Sequence, residues 1–170
     1  DLRNSRLGEE CIHLYNQNSL MKIKILSLFL LCCTMGISQG EEENVKQAIV
    51  TFFEGFHAQD SVKIKSVVAD GMIMQTMGRD KDGNTRLREV EFSKFLKSIV
   101  SIPDSISYKE VITKYTIKVD GPMANAWTDY QFWLREEMSH CGVNSFQLMN
   151  QKGQWQIIYL IDTRRKDSCQ

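Results

Sequence analysis

Proline is almost missing from this 170-residue chain, which carries 2, and glycine is held to 10. So little of either excludes collagen-like and low-complexity chains. With 42% hydrophobic and 25% charged residues, the composition is not that of a wholly disordered chain either. An excess of one charge is lacking too. Lys+Arg and Asp+Glu stand at 21 each, for a net charge of 0, whereas a nucleic-acid binder normally shows a basic excess. The sequence holds no C-x-x-C, H-E-x-x-H, G-x-S-x-G or phosphate-loop pattern. Asp80-Lys81-Asp82-Gly83-Asn84 imitates a calcium loop but has its glycine fourth instead of sixth, which reads as a turn. Any enzyme built on this chain is therefore expected to work without metal or cofactor.

What is present begins with an export signal. Met21-Lys22-Ile23-Lys24 is basic, Ile25 to Leu31 is an uncharged apolar run, and Gly36-Ile37-Ser38 supplies the small residues of a cleavage site. That order predicts a secretory signal peptide over residues 21–38. Counted from Ile23 to Ile37, it is too short for a membrane span of ~20 residues. Export to the periplasm or outside follows, with no membrane partner after cleavage. Cys32 and Cys33 raise a lipoprotein alternative, which ranks second because the bulky Leu31 precedes Cys32. Residues 1–20 show no helical or strand period and read as an upstream extension; Cys11 and His13 fall there without a role. Residues 39–170 read as one domain.

That domain opens with helices. Val45, Ile49, Phe52, Phe53 and Phe56 form a helical stripe within Glu41 to Gln59. Asp60 is placed to cap a short second helix carrying Ile64, Val67 and Val68. Met72 to Met77 reads as a strand, followed by a turn at Asp82-Gly83-Asn84. Phe92, Phe95, Leu96, Ile99 and Val100 mark a third helix, closed by Pro103. Beyond Ser107 the period becomes that of strands, near Tyr108–Val119, Ala124–Leu134, Met138–Met149 and Trp155–Thr163. The fold class is α+β, with the helices packed in a strongly curved antiparallel sheet.

The last third carries a resemblance. Trp127-x-x-Tyr130-x-Phe132-x-Leu134, Ser139-His140-Cys141-Gly142-Val143, Gly153-x-Trp155-x-Ile157 and Asp162-Thr163-Arg164-Arg165 resemble the nuclear transport factor 2-like superfamily. They are most similar to its bacterial lumazine-binding or polyketide cyclase-like branch. The resemblance implies a cone-shaped sheet wrapped around a long helix, with an open pocket. The superfamily hosts isomerases, dehydratases, epoxide hydrolases and cyclases, and also non-catalytic binding and association domains, so fold alone does not deliver function.

Strand register then gathers the candidate site. If Arg135 and Met138 flank a two-residue turn, Trp133 faces His140; the next hairpin sets His140 opposite Arg164 and Gly142 opposite Asp162. Alternation brings His140, Asn144, Asp162 and Arg164 to one face at one end of the sheet. His140 and Asp162 are the catalytic candidates, since a His beside a carboxylate is the minimum for acid–base work near neutral pH. Trp127, Tyr130, Asn144 and Arg164 are the ligand-binding candidates, with Arg164 placed to clamp an anionic group. The competing reading is a hydrogen-bonded cluster with no ligand. Trp127, Phe132, Trp133, Phe146 and Trp155 read as core or pocket wall, and His57 as an exposed or interface residue. Cys141 and Cys169 remain after cleavage, and export favours a bridge between them; a buried Cys141 with a free Cys169 is the alternative. Three functions stay open: an exported small-molecule-binding domain, a cofactor-free isomerase, dehydratase or cyclase, and a homodimeric association domain.

Overall fold

The computed structural model describes residues 40–169. The expected upstream extension and the expected signal peptide with Cys32 and Cys33 lie outside the described residues. Helix α1, residues 40–57, buries Val45, Ile49, Phe52, Phe53 and Phe56, the stripe expected from sequence. Helix α2 (Ser61–Ser66) starts at Asp60, whose carboxylate accepts from the N–H groups of Val62 and Lys63 at 2.9 and 3.0 Å. Strand β1 (Val68–Arg79) is twice the expected length, and β2 (Thr85–Val90) was not expected at all. Between them, Asp80 Oδ1 accepts from the N–H groups of Asp82 and Asn84 at 3.0 and 2.9 Å, so this segment is a turn. Helix α3 (Phe92–Val100) and strands β3 (Tyr108–Asp120), β4 (Met123–Leu134), β5 (Glu137–Gln151) and β6 (Gln154–Thr163) follow their sequence patterns within a few residues.

The six strands form one sheet in the order β2-β1-β6-β5-β4-β3. It is mixed, because β1 and β6 pair in parallel while the other neighbours are antiparallel. The cause is topological. Helix α3 carries the chain to the far edge so that β3 runs in the direction of β2, and three hairpins later β6 arrives parallel to β1. Four register irregularities, at Val68/Ile73, Ile112/Lys114, Phe132/Trp133 and Gln147/Leu148, bend the sheet around α1. Among the described residues no helix is long and apolar enough to cross a membrane.

Two registers differ from expectation. Arg135 adopts a φ of 59°, a conformation usually left to glycine, and Leu134 pairs with Glu137; the irregularity at Phe132/Trp133 then sets Phe132, not Trp133, opposite His140. The β5–β6 pairing is displaced by two residues, so Asn144 instead of Gly142 faces Asp162. A two-residue displacement preserves faces, and His140, Asn144, Asp162 and Arg164 still share one side. The sheet is tightest at Gly142. A Cβ there would fall on the Thr163 carbonyl and within 2.8 Å of the Tyr130 ring. Just beyond, the main chains of Cys141 and Arg165 exchange two 2.9 Å hydrogen bonds. Cys141 and Cys169 form a disulfide with their Cα atoms 5.6 Å apart.

Trp155 is 5% exposed and donates its indole N–H to Glu41 Oε2 at 2.8 Å, tying β6 to the start of α1. Trp155→Ala should cost ~3–5 kcal/mol by emptying this site, whereas His140→Ala should cost clearly less. Equal shifts in chemical denaturation midpoints would contradict that placement.

Candidate functional site

The concave face of the sheet, α1 and α3 enclose a cavity of about 570 Å³. Its size is within the range of small-molecule sites. Most of the wall is apolar. Phe52, Phe53 and Phe56 come from α1, Phe95 and Ile99 from α3, and Met74 and Leu160 from β1 and β6. Even-numbered residues of β4 and β5 point inward, and this rule sorts the site. Tyr130 and Phe132 reach the cavity from β4, His140 and Asn144 from β5, Asp162 from β6, with Arg164 beside it.

Trp127 does not join them. No bulge separates it from Tyr130 on β4, so the two face opposite sides, and Trp127 is 50% exposed on the outer face. Trp133 shares that outer face by the same alternation and is half-buried, whereas Phe146 and Trp155 belong to the core. The expected His140–Asp162 pair is also not made. Asp162 faces Asn144, four residues along β5 from His140, and its Oδ2 accepts from Arg164 Nε at 2.8 Å. His140 instead stacks on Phe132, centroids 4.8 Å apart, with its edge toward Tyr130 and its Nδ1 3.2 Å from Ser139 Oγ. Burial, reinforced by Arg164 and Lys166, holds the His140 pKa below its ordinary value, with Asp162 opposing. Tyr130 is committed as well, donating its hydroxyl to the Thr163 carbonyl at 2.8 Å.

The residue that sequence reasoning missed is Glu110. On β3 it lies inside the cavity, where Asn144 Nδ2 donates to its Oε1 at 2.7 Å. Burial pushes its pKa up to about 7, and Asp162 adds to the rise; the Asn144 bond and Arg164 oppose it. A carboxyl that changes charge near neutral pH is equipped to give or take a proton. Alternation offered the signal, since Tyr108, Glu110 and Ile112 share the inward parity of β3. His57 was misplaced for a related reason. It is half-buried, and its Nε2 accepts the backbone N–H of Glu110 at 2.9 Å, so it anchors β3 and is not exposed. Burial, then Lys109, lowers the His57 pKa, in keeping with a neutral acceptor ring. Thr128 and Thr76 flank the Asn144–Asp162 pair across the sheet, and their buried hydroxyls have no hydrogen-bond partner among the described residues. Among these residues no cluster of His, Cys, Asp or Glu is placed to hold a metal ion.

The pKa of Glu110 makes a pH prediction. A group raised from 4.5 in the unfolded chain to about 7 in the fold contributes stability below pH 4.5 that is lost as pH rises through 7. The full swing is on the order of 3 kcal/mol. His57 and His140, with lowered pKa values, act the other way: their contribution is present above their ordinary value and lost as pH falls. Comparing Glu110→Gln with the parent isolates the first effect. The variant should gain in relative stability from pH 4.5 to pH 8, as read in urea denaturation. A difference that does not change with pH would contradict the burial of this carboxyl.

No protein-family model and no curated protein matches the sequence. Solved structures do match. A nuclear transport factor 2-like protein of unknown function from Shewanella baltica is 17% identical, with a TM-score of 0.55 over 75% of this chain and 96% of that one. Another from Pseudomonas putida is 16% identical, with a TM-score of 0.59 over 77% and 91%. A protein of unknown function from Mycobacterium tuberculosis is 14% identical, with a TM-score of 0.63 over 79% and 77%. At such identities the likeness establishes the architecture and nothing finer.

Proposed function

We propose that this chain, which has the nuclear transport factor 2-like fold, binds a small organic molecule with a largely apolar body in its cavity. One observation carries the reading. A 570 Å³ space is walled by aromatic and aliphatic side chains, and its ionisable groups, Glu110, His140, Asp162 and Arg164, are gathered at one end. Such a division orients a ligand, with a ring against phenylalanines and one polar group against the cluster. The Cys141–Cys169 bridge supports the reading of an exported chain, since such bonds persist in oxidising compartments.

Proton transfer within the same cavity is the second reading, and Glu110 is what favours it. Its carboxyl, with a pKa of about 7, has Asp162 as an electrostatic neighbour. Under that reading a bound ketone such as 2-tetralone would exchange its α-protons with deuterated water, and Glu110→Gln would stop the exchange.

The binding reading is checked with N-phenyl-1-naphthylamine, a neutral fluorescent aromatic. Saturable fluorescence enhancement at one site and a rise in melting temperature are expected, because ligand bound only by the native state stabilises it. Val90, half-buried on the cavity wall, offers the control. Val90→Trp should fill the space and abolish the enhancement while far-UV circular dichroism stays unchanged. Absence of saturable binding to the parent would overturn the proposal.

A further inference from the structure

The polar end of the cavity has an uneven supply of hydrogen-bonding groups. Several of its donors are already engaged. Asn144 Nδ2 donates to Glu110, the Tyr130 hydroxyl to the Thr163 carbonyl, and Arg164 Nε to Asp162. The Arg164 side chain is 58% exposed. Oxygen atoms are left over beside these bonds. Glu110 Oε2 and Asn144 Oδ1 make no hydrogen bond to any described residue. Thr76, on the cavity wall beside Asp162, adds a buried hydroxyl with no hydrogen-bond partner among the described residues. With Glu110 ionised, two carboxylates face one arginine, and the cluster carries one net negative charge.

The apolar wall leads to this end as a ribbon of rings. Phe95 stacks on Phe56 with planes 4° apart, Phe56 meets Tyr108 edge-on at 5.1 Å, and Tyr108 stacks on Phe132 at 20°. Ring faces attract cations, and more strongly when water is excluded. A second carboxylate without a cation of its own and the aromatic faces favour the same ligand chemistry.

We infer that the cavity selects a flat, mostly apolar amine, its cationic nitrogen held by Glu110 and Asp162 and its ring lying against the Phe56–Tyr108–Phe132 ribbon. This inference rests on the binding reading above and sharpens it to a ligand class. It also reverses the sequence expectation that Arg164 clamps an anion, because that guanidinium is already joined to Asp162 and an incoming anion would meet two carboxylates. Binding is coupled to pH through Glu110. The charged and titratable groups around it are His57 from α1, Lys109 next to it on β3, Tyr130 from β4, His140 from β5, Asp162 from β6 and Arg164 just beyond β6. Burial lowers the pKa of both histidines, and a rise in pH adds negative charge at Glu110.

Three indoles of similar shape make the test: tryptamine as the cation, 3-ethylindole as the neutral probe and indole-3-propionate as the anion. Calorimetric titration of the disulfide-intact protein at pH 6 and pH 8 is expected to rank tryptamine first by tenfold or more at pH 8. Its affinity should rise severalfold between the two pH values, while 3-ethylindole stays within twofold. Glu110→Gln and Asp162→Asn should each weaken tryptamine about tenfold and leave 3-ethylindole unchanged. Equal affinities for cation and neutral probe, tighter binding of the anion, or no binding of any indole while N-phenyl-1-naphthylamine still binds would each overturn the ligand class and leave the cavity reading standing. Loss of naphthylamine binding as well would remove both.

Discussion

The packing of the α1 phenylalanines against the concave sheet is the contact on which everything else in the domain rests. Phe52 and Phe53 meet Phe146 of β5 edge-on, and Phe52 is 2% exposed. Burial of each such ring contributes roughly 1.5–3 kcal/mol, and favourable ring geometry adds to it. The same rings line the cavity. One side of the stripe is therefore core and the other side is pocket wall, so the wall is as rigid as the core that supports it. Space inside a protein ordinarily costs stability because neighbouring side chains lose contacts. Here Phe56, Phe95, Tyr108 and Phe132 hold one another in place along the wall, so they do not collapse inward.

On that apolar frame the polar end is kept together by backbone geometry more than by charge. Gly142 lets the Thr163 carbonyl approach β5, and that carbonyl then accepts from Tyr130. Thr163 Oγ1 accepts the Val143 N–H at 3.2 Å where the regular ladder has ended, leaving Arg164 to turn back onto Asp162. From the other edge of the sheet, His57 fixes the main chain of Glu110 while Asn144 fixes its carboxyl. Ionising a buried carboxyl is costly unless hydrogen bonds compensate. The single bond from Asn144 is partial compensation, which is why Glu110 is balanced near neutrality and not held permanently in one state.

Much of this was legible in the residue pattern. The change from a helical to a two-residue period after Ser107 placed the four long strands to within a few residues, and the apolar spacing of Phe92 to Val100 matched α3 end to end. Strand β2 was invisible because Thr85–Val90 is exposed along nearly its whole length and has no buried face to alternate. The parallel β1–β6 pair was hidden because pairing partners far apart in sequence leave no turn to read. At the site, the shared face of His140, Asn144, Asp162 and Arg164 survived a register error of two residues, since side-chain direction depends only on parity. Trp127 was misjudged by giving a large aromatic an inward role against its own parity with Tyr130. Glu110 was passed over because an acid in a strand is read as facing water, although the apolar residues around it share its side.

The bridge between Cys141 and Cys169 has a consequence for the order of events during maturation. The cysteines lie 28 residues apart and meet at the open end of the β5–β6 hairpin, away from its turn at Lys152-Gly153. A hairpin closes from its turn outward because short loops cost least entropy. The thiols are therefore presented to each other only after the strands have already aligned. Oxidation acts as a ratchet on a finished register, not a guide toward it. The chain can gain its shape while its thiols are still reduced, and the bond then makes the strap carrying Arg164 a fixed part of the molecule.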